Sequence, residues 1–159
     1  MKSISKYQDD NKPETQCFNY IPINKNIATS GQPTPMQFEA IAAAGYTAVI
    51  NLAMHDSSDA LYEEGGIVSE AGMNYFHIPV PFDAPTSKHL RLFLRLMEVL
   101  EGEKVWLHCA YNWRASAFIS HYQRHVLKQD AGEMLVLAQW TPSDVWQKFL
   151  ALQSPPHKE

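Results

Sequence analysis

The sequence has few cysteines, no glycine-rich tract, no excess of basic charge and no long apolar run. Its two cysteines, Cys17 and Cys109, stand 92 residues apart in unlike surroundings, which excludes a disulfide-stapled scaffold and points to a compartment that keeps thiols reduced. The formal net charge is −4 and no basic stripe is present, so neither nucleic acid nor an anionic membrane surface is an expected partner. The longest uncharged run, AIAAAGYTAVINLAM over residues 40–54, is too short and too interrupted to span a bilayer. The opening MKSISKYQDDNKPETQ is polar throughout and lacks the apolar centre of a secretion signal. A cytoplasmic location is therefore expected, or a periplasmic one if the chain is a trimmed mature form.

A chain of 159 residues has room for one hydrophobic core. Residues 1–16 show no hydrophobic period and are expected to form a flexible tail, leaving 17–159 as a single domain. Short strand-like pieces occur at Phe18–Ile23 and Ile27–Thr29. Thr34, Pro35 and Gln37 then read as N-cap, first-turn proline and capping-box partner of a helix that stops at Gly45. YTAVINL is apolar on both faces, as a buried strand is. A helix near Glu63–Ala71 ending at Gly72 follows, then the strand MNYFHIPV, closed by Pro79 and Pro81. A long helix runs from about Ser87 to Glu101, with Lys88, Arg91, Arg95, Glu98 and Glu101 forming its thin polar stripe. KVWLHC is a third buried strand, and Ala115–Lys128 a further helix. AGEMLVLAQW and TPSDVWQKFLALQ read as two more helices, with Thr141 as N-cap of the last. Strands separated by helices imply an α/β fold, with a small, mostly parallel sheet flanked by helices on both faces and a ligand site beyond the carboxyl ends of the strands.

HCAYNWRAS, residues His108–Ser116, occupies such a position. Only four residues separate Cys109 from Arg114, so a thiol and a guanidinium bracket a tight loop: Ala110, Tyr111, Asn112 and Trp113. Backbone N–H groups of a short strand-to-helix loop converge on one spot, and the helix start adds positive potential there. The loop is an anion cradle, and the same features favour a thiolate. Asn112 is suited to the left-handed conformation that a glycine would otherwise supply. Tyr111 and Trp113 either rim the pocket or pack against neighbouring elements.

The stretch resembles the signature of the cysteine-dependent protein tyrosine and dual-specificity phosphatases: His-Cys, five residues, Arg, then Ser or Thr. His108, Cys109 and Arg114 match in type. The loop is one residue shorter, and Ala115 stands between Arg114 and Ser116. Four intervening residues are also found in rhodanese-like sulfurtransferases and in the bacterial beta-lactamase-hydrolase-like phosphatase family. Similarity to the latter extends to ATSGQPTPMQFEAIAAAGYTAVINL and HIPVPFDAPT, covering residues 27–128.

The resemblance implies a phosphatase-like domain that hydrolyses phosphate monoesters, phosphotyrosine or a small phosphorylated compound, with no metal or organic cofactor. Cys109 would be the nucleophile, forming a cysteinyl-phosphate that water hydrolyses. Arg114 would bind two phosphoryl oxygens through its planar fork. His108 would be a buried support that tunes the thiolate, and Ser116 would hydrogen-bond it. Asp83, on the loop after the preceding strand, matches the position of the family's general acid, with Asp56 and Asp59 as substitutes. Two other readings remain open: a sulfurtransferase working through a Cys109 persulfide, and an inactive domain that only binds an oxyanion. His121 and His125 have the helical spacing of a metal pair but lack any accompanying motif, and a plain helix face fits them better. Trp140 and Trp146 read as core or partner-surface residues. The sequence leaves the oligomeric state open.

Overall fold

The computed structural model describes residues 11–129 and 140–153. Residues 1–10 of the expected tail, and the helix expected over 131–140 up to Trp140, lie outside the described residues. Five strands form one sheet: β1 (Ile21–Asn24), β2 (Ile27–Ser30), β3 (Ala48–Asn51), β4 (Asn74–His77) and β5 (Val105–His108). Among the described residues five helices accompany them: α1 (Pro35–Ala43), α2 (Glu64–Glu70), α3 (Ser87–Val99), α4 (Trp113–His125) and α5 (Asp144–Leu150). The strand order is β1-β2-β5-β3-β4. Only β1, joined to β2 as a hairpin, runs antiparallel; the other neighbours are parallel.

The three inner strands IATS, AVIN and VWLH are buried along their whole length, as strands covered on both faces must be. Alternation along them splits the core in two. Ile50, Leu52, Val105 and Leu107 face α3, α4 and α5, where Leu90, Phe93, Phe118 and Trp146 pack. Ala28, Val49 and Trp106 face α1 and α2, against Phe38, Ile41 and Val68. The expected α/β layering is therefore the observed one.

Local chemistry sets the ends of the elements. Thr34 and Gln37 form the anticipated capping box of α1, and Thr86 with His89 forms another at α3. Gly45, Gly72 and Gly102 follow α1, α2 and α3 with φ of 99°, 93° and 89°, a region that costs a side-chain-bearing residue energy.

Several boundaries differ from expectation. Residues 13–16, within the expected tail, form one 3-10 turn with Glu14 buried. β1 starts at Ile21 rather than Phe18, because Asn19 has φ of 53° and turns the chain. β4 ends at His77: Ile78 and Val80 still donate to β3-side carbonyls, but Pro79 and Pro81 have no N–H to continue a ladder. α4 begins at Trp113, two residues before the expected Ala115, since Asn112 in the left-handed region makes the sharp entry. α5 begins at Asp144 with Ser143 as its cap residue. Thr141, the expected cap, lies two residues earlier: the chain is still extended at Ser143, with ψ of 172°, so the first turn is set there.

Candidate active site

β5 ends on His108, so the next residue points to the opposite face of the sheet. His108 meets Phe38 of α1 edge-on at 5.8 Å, whereas Cys109 belongs to the core on the α4 side. Cys109 is 1% exposed, and its Sγ accepts the N–H of Ala115 at 3.5 Å. The loop then turns through Asn112 at φ 71°, as the sequence led one to expect. The Asn112 Nδ2 donates to the Asn19 carbonyl at 2.8 Å and to Thr29 Oγ1 at 2.9 Å. Ser116 donates to Asn112 Oδ1 at 3.2 Å; its hydroxyl therefore supports the turn and does not bond the thiol. On the other side of the loop, the Gln32 N–H donates to the Ala110 carbonyl at 3.0 Å. Gly31 must be glycine here, because a Cβ would stand 2.5 Å from that carbonyl oxygen.

Among the described residues, the backbone N–H groups of Ala110, Tyr111, Asn112, Trp113 and Arg114 have no acceptor. Such a run of free donors beside a cation is the cradle an oxyanion requires. Arg114 is 5% exposed. Its Nη1 donates to the Val80 carbonyl at 2.8 Å, its Nη2 to Ser57 Oγ at 3.4 Å, and its guanidinium lies 5.5 Å from the centre of the Phe82 ring. The segments after β3 and β4 thus fix the fork before a ligand arrives.

A pocket of about 190 Å³ opens here, lined by Ser57, Ser58, Phe82, Cys109, Ala110, Tyr111, Trp113 and Arg114. Tyr111 donates to Ser58 Oγ at 3.1 Å, and the Trp113 ring stands 5.4 Å from Tyr111 and 5.8 Å from Phe82. Both aromatic residues of the loop therefore rim the pocket. Trp113 also stacks on Trp140, nearly parallel at 5.9 Å. None of the three candidate acids lines the cavity. Asp83 is exposed and follows Phe82 in a turn closed by Ala84 N–H to the Pro81 carbonyl. Asp56 and Asp59 are exposed beside Ser57 and Ser58.

Residues 13–146 match the family of DSP-PTPase phosphatases fused to NAD+ kinase. The chain belongs to this family. It is 30% identical over 146 residues to a beta-lactamase hydrolase-like protein of Xylella fastidiosa (strain Temecula1), a match covering 85% of this chain and 33% of that protein. The chain thus spans about a third of the length of that curated relative. It is 30% identical to a candidate phosphatase (DUF442) of Shewanella putrefaciens CN-32, with a TM-score of 0.81 over 87% of this chain and 92% of the other. TpbA of P. aeruginosa, solved in complex with pTyr, shares the fold at 17% identity, with a TM-score of 0.60 over 74% and 72% of the two chains.

Around the loop, the domain holds residues that no local pattern announced. Val80, Ser57 and Phe82 reach Arg114 from loops far away in sequence. Behind the cradle, His108 Nε2 lies 2.6 Å from Glu64 Oε2, and Glu64 Oε1 accepts from Gln32 Nε2 at 2.8 Å. A buried Glu in the first turn of a Gly-Gly-containing helix carries no signal of its role until the sheet is assembled. Cys17 is a contrasting thiol: burial, then the charge of Glu14, pushes it up to about 12, so it stays protonated and unreactive at neutral pH.

Outside the pocket, His121 and His125 do not form a metal site. His121 Nε2 donates to the Phe149 carbonyl at 2.8 Å, and its Nδ1 accepts from Arg124 at 3.0 Å and from His125 Nε2 at 3.2 Å. The rings clasp α4 to α5. Among the described residues no three His, Cys, Asp or Glu side chains converge as a metal group would require.

Proposed function

We propose that the domain hydrolyses aryl phosphate monoesters, phosphotyrosine or a small phosphorylated aromatic, through a cysteinyl-phosphate on Cys109. The Cys109 sulfur attacks phosphorus, the new S–P bond forms, and the P–O ester bond breaks. The departing oxygen takes up a proton. Water then attacks phosphorus, releasing orthophosphate and restoring the thiolate, which the Ala115 N–H steadies as it leaves. Arg114 and the loop amides offset charge on the equatorial oxygens of both transition states. This chemistry draws on no metal or organic cofactor.

The observation that carries the reading is one pocket lined by both Cys109 and Arg114, with five loop N–H groups that have no acceptor among the described residues. The pTyr bound by TpbA is an oxyanion ligand of the kind this cradle suits. Leaving-group preference follows from the walls. No carboxylate lines the cavity, and a phenolate, whose conjugate acid has pKa about 10, departs unaided far more readily than an alkoxide. Asp83, exposed one residue beyond the pocket-lining Phe82, is the acid this reading assigns for leaving groups that need a proton.

The test is hydrolysis of a small aryl phosphate by wild type and Cys109→Ser at mildly acidic to neutral pH. Turnover abolished in the variant supports the reading; no turnover, or turnover that survives the substitution, overturns it. Asp83→Ala then slows alkyl esters more than aryl ones if Asp83 is the acid. Sulfur transfer is the second reading, favoured by the four-residue loop and by the lack of an acid on the pocket wall. Its sign is a one-sulfur mass increment on Cys109 after exposure to a sulfur donor. Tight anion binding with neither reaction marks an inactive binding domain.

A further inference from the structure

A buried polar cluster lies behind the pocket, on the other face of the sheet. His108 is 0% exposed and Glu64 5%. His108 Nδ1 stands 3.1 Å from the Cys109 carbonyl oxygen, and its Nε2 2.6 Å from Glu64 Oε2. A carbonyl oxygen only accepts, so Nδ1 is the protonated nitrogen of that first bond. The second contact must then hold a proton of its own, since two bare lone pairs would repel at that distance. Glu64 accepts on its other oxygen from Gln32 Nε2 at 2.8 Å, and the Gln32 N–H donates to the Ala110 carbonyl at 3.0 Å. Two successive carbonyls of the anion loop, Cys109 and Ala110, are thereby tied to one carboxylate from α2.

The surroundings leave that carboxylate as the cluster's anion. Ser30 of β2 and Asn51 of β3 flank His108 in register, and Phe38 of α1 packs on the ring; none of them is charged. Tyr75 of β4 is pushed up to about 12, chiefly by burial, and stays neutral. The cation Arg114 and the thiol of Cys109 lie on the far side of the loop. A carboxylate that receives a donor on each oxygen is stabilised by both bonds.

We propose that Glu64 is a positioning residue for Cys109: it holds His108 as an imidazolium that donates to the Cys109 carbonyl, fixing the loop and placing a positive charge behind the thiol. The inference rests on Cys109 being the reacting group, and is indifferent to whether phosphorus or sulfur is transferred. Glu64→Gln keeps the size and a hydrogen bond but cannot balance an imidazolium.

The readout is alkylation of Cys109 by iodoacetamide, followed by mass spectrometry across pH. The Glu64→Gln curve is expected about one pH unit to the alkaline side of wild type, roughly tenfold slower at its foot, as removal of a nearby balancing charge dictates. Superimposed curves in a variant with unchanged circular dichroism overturn the proposal. Because alkylation needs no turnover, a failed phosphatase assay leaves this test intact. A second measurement uses the wild-type chain and does not depend on the variant folding. Nitrogen-15 NMR of His108 at pH 7 is expected to show protons on both ring nitrogens, and one bare nitrogen overturns the proposal.

Discussion

At Arg114 the guanidinium is held in place by its neighbours: Val80 and Ser57 take Nη1 and Nη2, and Phe82 lies against its plane. A lysine there keeps the charge but cannot make the forked contact. Arg114→Lys should therefore lower kcat on an aryl phosphate by about 10²–10³-fold, the usual cost of one oxyanion donor, with circular dichroism unchanged. Asn112 makes a different kind of demand. Its φ of 71° and its bonds to Asn19 and Thr29 mean that alanine would meet backbone strain and give up both bonds. Asn112→Ala should cost about 2–4 kcal/mol in a urea unfolding experiment. The meeting of Cys109 and Arg114 at one pocket and the left-handed turn at Asn112 were readable because both are local, set by spacing and by intrinsic backbone preference. Glu64, Val80 and Ser57 were not readable, since each acts across the sheet or between loops. Asp83 was placed by position in the chain, and the Pro81–Ala84 turn leaves it exposed beside the pocket rather than in its wall.

Among the elements, α5 is held by a clasp whose strength depends on pH. His121 is lowered from 6.5 to about 4, first by burial and then by Arg124 and His125, with the Phe149 carbonyl partly opposing them. The folded chain keeps this ring neutral at pH values where the unfolded chain has already taken up a proton. Its contribution is therefore complete above pH 6.5 and is lost as pH falls toward 4. His121→Gln retains a donor for Phe149 and removes the titration, so its melting temperature should fall less than that of wild type over this window. The same helix secures the pocket: Trp146 Nε1 donates to the Phe82 carbonyl at 2.7 Å. Trp146→Phe should loosen that wall and raise KM more than it lowers kcat. Helix starts with a proline or a capping box, such as α1, were legible because two adjacent residues decide them. The start of α5 was not, because Thr141 and Ser143 both carry a hydroxyl that could cap a helix, and the local sequence does not choose between them.

For the whole molecule, an anion that binds the folded chain alone must raise its melting temperature. Orthophosphate at 100 times its Kd is expected to add about 2.7 kcal/mol, or roughly 5–10 °C for a domain of this size. Thermal melts should show that rise in wild type and not in Arg114→Ala. The layered architecture was legible from the alternation of buried strands and helices, whereas the sharing of one site between the two layers was not. It comes from the pleat, which sends His108 to one face and Cys109 to the other. A complete substitution map scored by turnover would therefore show two islands with a sheet between them, joined only through the backbone of residues 108–110. Anyone ranking positions by distance from the cavity would file Glu64 with the inert core, and a ligand that fills the cavity would leave the His108–Glu64 pair on the other face untouched.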